Sequence, residues 1–361
     1  MRFAFIQLLI LIVTATGLSA EPFDYHRTYR SPYYLGRGDT GISVADEQHV
    51  LFYNPAGIAQ GKGIYKKTVV ATPTIEGSMA ARDLARRISI EKAPTQEALR
   101  NAIGQPQHFG ASLATGVFLR RAALGGSYSV QGDVLVSKDR QISGFERVDI
   151  GLLADQVIAA AIGEKFFIEG FTAGLGLQII KRRFMSAGIS VIQSDDLNDA
   201  GSQDSDGIVE GDGVGINFGM MYRSGGVRPY SFGLTVENVG NTNFTPQVEG
   251  EYLAPMLQTV NFGMTYEPGT KFSKMRLLVD YRDILNAAGR DPFINLHVGA
   301  EISLNGYLGF MTGLHDGYYC GGAYLDIRFI RFDLGAYTKE AGEYPGHRPD
   351  KRFYFQLSLA I

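Results

Sequence analysis

The stretch RFYFQLSLAI, residues 352–361, lies at the end of the chain and decides the fold. Large apolar residues occupy every second position from 353 onward, and arginine, tyrosine, glutamine, serine and alanine occupy the positions between them. A period of two puts these two sets of side chains on opposite faces of an extended strand. The stretch therefore predicts a β-strand with one apolar face and one more polar face.

The same alternation recurs from about residue 64, and very short links alternate with longer ones. A soluble β-sandwich would also alternate, but here many charges lie opposite the apolar faces, as in the wet interior of a membrane barrel. Short periplasmic turns, long external loops and an even strand number are typical of bacterial outer-membrane barrels. We therefore predict an all-β, transmembrane antiparallel barrel of about 14 strands, with both chain ends on the periplasmic side. The predicted strands are 64–78, 107–119, 121–137, 144–161, 167–185, 207–223, 228–240, 256–267, 272–284, 293–303, 306–314, 318–328, 331–340 and 351–361.

Composition and motifs exclude several other classes of protein. The 361 residues include 34 Lys and Arg against 37 Asp and Glu, so the basic face of a nucleic-acid-binding protein is not expected. A single cysteine, Cys320, rules out an internal disulfide and a cysteine-based metal site. The sequence contains no G-x-S-x-G, P-loop or H-E-x-x-H motif. We predict no enzymatic activity, no cofactor and no metal site.

Residues 1–20 have the layout of a secretory signal peptide. Arg2 precedes an apolar run over residues 3–13, and the small residues Ser19 and Ala20 end the segment. The run is shorter than the roughly 20 residues that a membrane-spanning helix needs, and no second long apolar run follows it. The sequence thus predicts export and a location in the outer membrane of a Gram-negative bacterium.

Residues 21–63 separate the signal peptide from the first predicted strand and do not alternate like a strand. They hold several Gly and Pro residues, together with the mixed stretch VLFYNPAGIA at residues 50–59. A mixed segment in this position suits a plug inside the lumen of a barrel. The predicted organisation is therefore a signal peptide (1–20), a plug (21–63) and a barrel (64–361).

The plug contains the most specific family resemblance in the sequence. GRGDTGISVAD at residues 36–46, followed by LFYNPAG at residues 51–57, resembles the N-terminal signature of the FadL superfamily of long-chain fatty-acid and aromatic-hydrocarbon transporters. The resemblance implies a 14-stranded barrel in which a plug fills the lumen and a hydrophobic ligand leaves sideways through the wall. Alternatively, the Asn-Pro pair forms a tight turn and contacts no ligand. The predicted plug and gating residues are Asn54, Pro55, Ala56 and Gly57.

Later stretches look closer to the PorV-type barrels, which are relatives of these transporters. They are LTVENVG at 234–240, VDYRD at 279–283 and GEYPGHRPDKR at 342–352. Two functions therefore stay open besides a purely structural barrel: passage of a hydrophobic small molecule, and handling of exported proteins by a PorV-type shuttle. Expected partners are membrane lipid, the barrel-assembly machinery, and either a hydrophobic ligand or an exported protein.

The predicted loop at 79–106 interrupts the alternation with two helical stretches, 79–88 and 96–103, the second capped by Thr95. Their apolar residues define one face, which would form a ligand entrance or simply pack on the barrel rim. The candidate entrance residues are Leu84, Ile88, Leu99 and Ile103.

Charged residues also fall on the predicted inward faces of the late strands. They would form a polar network that contacts the plug, or would neutralise one another in a wet interior. The residues of this predicted lumen network are Arg276, Asp280, Arg282, Glu301, Asp326, Arg328, Arg331 and Asp333.

Overall fold

The structure is a computed structural model, and it describes most of the barrel and much of the segment before it. The predicted signal peptide lies outside the described residues, as does the beginning of the predicted plug. The described residues are 27–44, 49–60, 65–89, 95–138, 146–191, 201–269 and 273–361.

Fourteen strands form one closed antiparallel ring in the described part of the chain. The first strand, β1 (Tyr65–Ser78), pairs with the last, β15 (Pro349–Ala360), and so closes the ring. A three-residue strand, β8 (Phe244–Pro246), pairs with residues 211–213 and is not part of the ring. The predicted 14-stranded barrel is confirmed. The other strands are β2 Pro106–Leu119, β3 Ala122–Lys138, β4 Glu146–Lys165, β5 Phe171–Val191, β6 Gly201–Arg223, β7 Tyr230–Glu237, β9 Thr259–Tyr266, β10 Ser273–Tyr281, β11 Leu296–Leu304, β12 Leu308–His315, β13 Tyr318–Ile327 and β14 Ile330–Glu340.

Side chains alternate between the two sides of the wall as the sequence predicts. In β15, Phe353 and Phe355 are exposed on the outer surface, whereas Arg352, Tyr354 and Gln356 are buried and face the lumen. Exposed Ile, Leu and Phe residues recur on the outer faces of other strands. The apolar faces therefore surround the barrel, where membrane hydrocarbon would contact them, and the charges turn inward.

Strands β5 and β6 are longer than predicted. The sequence suggested a loop over residues 186–206, but β5 continues to Val191 and β6 begins at Gly201. Pairs such as Ala187 with Ser205 continue the ladder past a register shift. Small and acidic residues replace the apolar alternation in this part of the chain. A strand needs an apolar face only where it contacts hydrocarbon, so the absence of alternation did not mean the end of the strand. Backbone pairing nevertheless extends the hairpin.

The chain enters the barrel before its first strand. Residues 27–44 and 49–60, which we call the lumenal segment, lie inside the ring and are almost entirely buried. The segment includes a one-turn helix, α1 (Pro32–Leu35), beside β13, β14 and β15, and a 3-10 helix (Pro55–Gln60) beside β4, β5 and β6. Its packing leaves little open space in the described lumen.

Two helices occupy the link between β1 and β2, at the end of the barrel that carries the longer links. We call this the external end, after the predicted orientation. Helix α2 covers Met79–Ser89 and α3 covers Thr95–Ala102, close to the two predicted helices. Ser78 Oγ accepts a hydrogen bond from the amide of Ala81 at 3.1 Å and caps α2. No helix among the described residues is long and apolar enough to cross a membrane.

Candidate functional site

Asn54 links two parts of the lumenal segment to the barrel wall. Its Nδ2 donates to the carbonyl of Ile42 at 2.7 Å and to the carbonyl of Met220, on β6, at 3.3 Å. Its Oδ1 accepts a hydrogen bond from the amide of Ala56 at 3.1 Å, at the start of the 3-10 helix. Pro55 opens that helix, where a missing amide hydrogen has no cost. The predicted plug residues thus hold the segment's own shape and contact the wall.

The wall approaches the lumenal segment most closely at glycines. A Cβ atom at Gly219 would lie 2.1 Å from Asn54 Oδ1, and one at Gly174 would lie 2.4 Å from the carbonyl carbon of Pro55. Real Cβ atoms do not come this close to other heavy atoms, so any larger residue would force the two parts away from each other. The abundance of glycine therefore has a packing reason at this contact.

Glu301 of β11 is a wall carboxylate that accepts hydrogen bonds from two side chains of the lumenal segment. Arg37, which is fully buried, donates to Glu301 at 2.6 Å, and the Tyr33 hydroxyl donates to the same carboxylate at 2.7 Å. The Tyr324 hydroxyl adds a third contact at 3.0 Å. Glu301 is a member of the predicted lumen network, and the structure places it against the segment.

Two neighbouring wall residues from the predicted network hold the next turn of the segment. Asp280 Oδ2 accepts hydrogen bonds from the amides of Gly41 and Ile42, at 2.7 and 3.1 Å. Arg282 donates to the backbone carbonyl of Asp39 and lies 3.4 Å from its carboxylate. Burial raises the pKa of the Asp39 carboxyl, and the positive charges of Arg27 and Arg30 oppose that rise.

Arg331 and Asp333 form an ion pair on β14, with 2.8 Å between Arg331 Nη2 and Asp333 Oδ1. The guanidinium also stacks between two aromatic rings, 4.1 Å from the ring centre of Tyr33 and 3.9 Å from that of Tyr324. Cation–π contacts of this kind are stronger when they are withdrawn from water. They join β13 and β14 to helix α1.

The remaining predicted network residues differ in placement. Arg276 faces the lumen, 3.5 Å from Glu301, and Asp326 lies at a half-buried inward position of β13. Arg328 is placed differently from the prediction. It is exposed in the tight turn between β13 and β14, where its φ of +56° and the ring of Phe329 replace the expected inward position. The predicted strand ended at 328, one residue after the ladder stops, so the alternation was continued too far.

Sequence reasoning missed polar pairs on the early strands. His108 lies between two carboxylates, 2.9 Å from Glu76 and 2.7 Å from Asp133. Arg182 donates two bonds of 2.8 Å to Asp155. All of these residues occupy inward positions, so the same alternation rule, applied to the early strands, would have found them.

The candidate entrance residues come together, but they do so on the outer wall. Leu84, Leu99 and Ile103 pack with Val136 of β3 and Val148 of β4. These two valines pair with each other and occupy outward positions, so the helices cover the outer surface of the β3–β4 hairpin. Of the two alternatives for this apolar face, a ligand entrance or packing on the barrel, the contacts match packing on the barrel. The side chain of Ile88 lies outside the described residues.

Cavities lie between the lumenal segment and the wall, and two of them have linings that bear on function. One measures about 40 Å³ and lies beside β1, β2 and β15; the other measures about 100 Å³ and lies at the external end, beside β7, β9, β11 and β12. Both have mixed polar and apolar linings that include arginines. Sites for small organic ligands usually measure roughly 300–1,000 Å³, so neither cavity holds such a molecule without movement of the segment.

The ladder between the first and last strands is incomplete. Ala71 pairs with Leu359 and Thr74 with Gln356, but among the described residues Thr72 and Pro73 have no partner on β15. Proline has no amide hydrogen to give to a ladder. By contrast, every residue from Pro106 to Phe118 has a partner on β3, and every residue from Ala122 to Lys138 has a partner on β4. We call the interrupted contact between β1 and β15 the seam.

Comparisons with known proteins confirm the fold. No family model and no curated protein matches the sequence. Among solved structures, the toluene transporter TbuX of Ralstonia pickettii has a TM-score of 0.54 and 11% identity, covering 91% of this chain and 97% of that one. The CymD monoaromatic hydrocarbon channel has a TM-score of 0.51 and 10% identity, covering 93% and 98%. The deltaS2S3 mutant of the TodX monoaromatic hydrocarbon channel has a TM-score of 0.50 and 10% identity, covering 94% and 99%. The chain therefore shares the barrel fold of these aromatic-hydrocarbon transporters and channels, as the resemblance in the sequence implies.

Proposed function

We propose that this protein passes hydrophobic small molecules across the outer membrane, by movement of the lumenal segment and release through the seam between β1 and β15. The observation that carries the proposal is the ladder interruption at Thr72 and Pro73. A hydrogen-bonded wall has no gap through which a ligand can leave. An interrupted contact lacks some of the backbone bonds that would have to break before two strands separate.

The surroundings of the seam support a lateral route. On the outer side, Val70 and Pro73 are exposed among other apolar residues, as a contact with membrane hydrocarbon requires. On the inner side, Thr74 Oγ1 and Gln356 Oε1 are buried and have no hydrogen-bond partner among the described residues. Thr74 also lines the 40 Å³ cavity. The seam therefore lies between an internal cavity and the apolar exterior.

The size of the cavities requires a gate. Since the space beside the seam is about 40 Å³, a ligand reaches it only when the lumenal segment shifts. Asn54 joins Ile42 to Met220, so a shift that moves this part of the segment away from β6 must change its hydrogen bonds. This gives the predicted gating residue a definite role within the proposal. The driving force for entry into the membrane is the removal of apolar surface from water.

The structural neighbours suggest which ligands to test first. TbuX is a toluene transporter, and CymD is a monoaromatic hydrocarbon channel. The N-terminal signature also resembles that of long-chain fatty-acid transporters. Radiolabelled toluene and a radiolabelled long-chain fatty acid are therefore the two probes, measured separately in cells that lack the protein and in cells in which it is restored. We expect uptake of at least one probe to depend on the protein.

A crosslink tests the route itself. Thr72→Cys with Ser358→Cys places two thiols on opposite strands of the seam, where an oxidised pair would hold β1 against β15. Ser127→Cys with Val157→Cys is the matched control, because these residues pair at inward positions of the intact β3–β4 ladder. We expect oxidation of the seam pair to reduce uptake, and reduction to restore it.

Two results would count against this function. Equal uptake before and after oxidation, with the seam crosslink verified, would rule out release through the seam. Equal uptake of both probes with and without the protein would rule out that the protein transports these hydrophobic molecules. In that case capture of exported proteins, the role of a PorV-type barrel, becomes the next hypothesis to test.

A further inference from the structure

Four hydrogen-bond donors at the external end of the lumen lack an acceptor in the described part of the structure. They are Arg282 Nε and Nη1, Asn295 Nδ2 and His315 Nε2. The three side chains line the cavity of about 100 Å³, and each is more than nine-tenths buried. No residue of β1 or β15 lines this cavity, which we call the external cavity. It is therefore separate from the seam.

Strand register brings the three side chains together. Arg282 directly follows β10, and its amide donates to the carbonyl of Asn295 at 2.9 Å, directly before β11. His297 lies two residues further along β11, on the same face as Asn295. It contacts His315 of the next strand, β12, with 3.4 Å between their Nδ1 atoms. The donors thus come from neighbouring positions on three successive strands.

The contacts of His315 show where its proton lies. His297 Nδ1 donates to the carbonyl of Gly38 at 2.7 Å, because a carbonyl only accepts. His315 Nδ1 faces that same nitrogen and carries no proton, since two N–H groups would repel each other. A neutral imidazole has one N–H, so the proton of His315 is on Nε2. Asp316 Oδ1 is 3.8 Å from this nitrogen, which is too far for a hydrogen bond.

The carboxylates of the same lining already have donors. Each of the four accepts at least one hydrogen bond from another described group. These bonds run from Tyr53 to Asp39 at 2.7 Å, from Arg27 to Glu237 at 3.3 Å, from Ala287 to Asp283 at 2.9 Å and from Glu340 to Asp316 at 3.2 Å. The unpartnered buried atoms of the lining are all donors. A water molecule offers hydrogens as well as lone pairs, whereas an oxyanion offers acceptors on every side.

The charges around the donors also favour an anion. The positive charges of four side chains act on His315, and they are those of Arg27, Arg30, Arg290 and Lys339. The three arginines line the external cavity together with Arg282, and these four balance the four carboxylates of the lining. Lys339 adds one more positive charge. Arginine N–H groups form charge-assisted hydrogen bonds with phosphate and carboxylate oxygens.

The size of the external cavity limits the kind of anion. Its volume of about 100 Å³ is that of roughly three water molecules in the liquid, at about 30 Å³ each. Sites for organic ligands usually measure roughly 300–1,000 Å³. The space therefore suits a small inorganic oxyanion and leaves no room for an alkyl chain.

We propose that Arg282, Asn295 and His315 bind one free inorganic oxyanion of the phosphate or sulfate type in the external cavity. Arg282 also donates to the backbone carbonyl of Asp39, so the bound anion would hold this turn of the lumenal segment against the wall. The site is independent of the proposed lateral route and of which molecule, if any, crosses the barrel.

Phosphate binding by the full chain tests the site. The protein is purified in detergent and in chloride buffer, then titrated with radiolabelled inorganic phosphate at constant ionic strength. We expect one saturable site per chain, from which sulfate displaces phosphate. Asn295→Asp puts a carboxylate in the place of a donor and should weaken binding by about tenfold or more. Asn243→Asp makes the same change at an exposed position and should bind phosphate as the unaltered chain does.

A second pair of variants tests the donor of His315. His315→Phe removes the Nε2 proton and keeps an aromatic ring, whereas His347→Phe makes the same change at an exposed position outside the cavity. Phosphate should raise the unfolding temperature of the unaltered chain and of His347→Phe, because it binds the folded state. It should leave the unfolding temperatures of His315→Phe and Asn295→Asp unchanged.

Three results would overturn the proposal. The first is the absence of saturable phosphate or sulfate binding by the unaltered chain, whether or not the variants fold. The second is equal phosphate affinity in the site variants and their controls. The third concerns octanoate, which carries an oxyanion on an alkyl chain. Displacement of phosphate by octanoate at a lower concentration than by sulfate would assign the site to an amphiphile instead of a free inorganic ion.

Discussion

Arg37 of the lumenal segment and Glu301 of β11 form a fully enclosed ion pair, with 2.6 Å between Nη1 and Oε2. The two residues are 264 positions apart in the sequence. The pair therefore joins the segment to a strand late in the chain, which only four further strands follow.

Glu301→Ala should destabilise the barrel strongly, because it leaves the Arg37 charge buried without its carboxylate. Losing one partner of a buried pair costs about 3–5 kcal/mol. Glu164→Ala is the control, since the Arg121–Glu164 pair is 65% and 55% exposed and such pairs contribute about 0–1 kcal/mol. Denaturant unfolding followed by tyrosine fluorescence measures both. A similar small loss in the two variants would contradict the anchoring role of Glu301.

Asn54→Ala should loosen the lumenal segment. The carbonyls of Ile42 and Met220 lose a donor, and leaving buried polar groups unpaired costs about 1–3 kcal/mol each. We expect lower stability and lower uptake of the hydrophobic probes, because the segment no longer moves between defined positions. Asn243→Ala, at an exposed position, is the control. Unchanged uptake in a folded Asn54→Ala protein would show that this residue has no part in gating.

Gly174→Ala should disturb the contact between wall and segment. The new methyl group would lie 2.4 Å from the carbonyl carbon of Pro55, and such overpacking typically costs about 1–3 kcal/mol. Gly225→Ala provides the comparison, because nothing lies within 4 Å of its added methyl group. Unfolding free energies of the two variants decide the matter: equal values would mean that the 3-10 helix yields without cost.

Two threonines at the seam form a natural matched pair. Thr72 Oγ1 donates to the carbonyl of Ala114 at 3.0 Å, whereas Thr74 Oγ1 is buried without a partner among the described residues. Thr72→Val should cost about 0.5–1.5 kcal/mol through the lost hydrogen bond. Thr74→Val should be neutral or stabilising, because it removes an unpaired hydroxyl of the same shape. A larger loss in Thr74→Val would reveal a bond that the structure does not contain.

The barrel itself could be predicted because its strongest signal is local. Alternation along residues 353–361 reports a strand without reference to any partner, and the strand count then follows from repeating the rule. The rule failed where its physical basis ends. It placed Arg328 inward although the chain already turns there, and it shortened β5 and β6 where no apolar face is needed.

Pairings between distant residues could not be predicted. Inward positions are visible in the sequence, but which of them meet depends on register and on the path of the lumenal segment. His297 and His315 become neighbours only through the register of β11 and β12. Glu301 and Arg37 meet only because the N-terminal segment folds into the lumen. The interruption at Thr72 and Pro73 likewise depends on the pairing of the first strand with the last.

The closure of the ring between β1 and β15 also constrains how the protein is made. The contact partners of the lumenal segment include β5 and β6, from the middle of the chain, and β11, from later in it. The final pairing cannot form until the last 12-residue strand has been synthesised. The lumenal segment therefore has all of these wall contacts only once β11 has been synthesised. The first strand can pair with the last only after both have been synthesised, and the ring that this pairing closes encloses residues that precede every strand in the sequence.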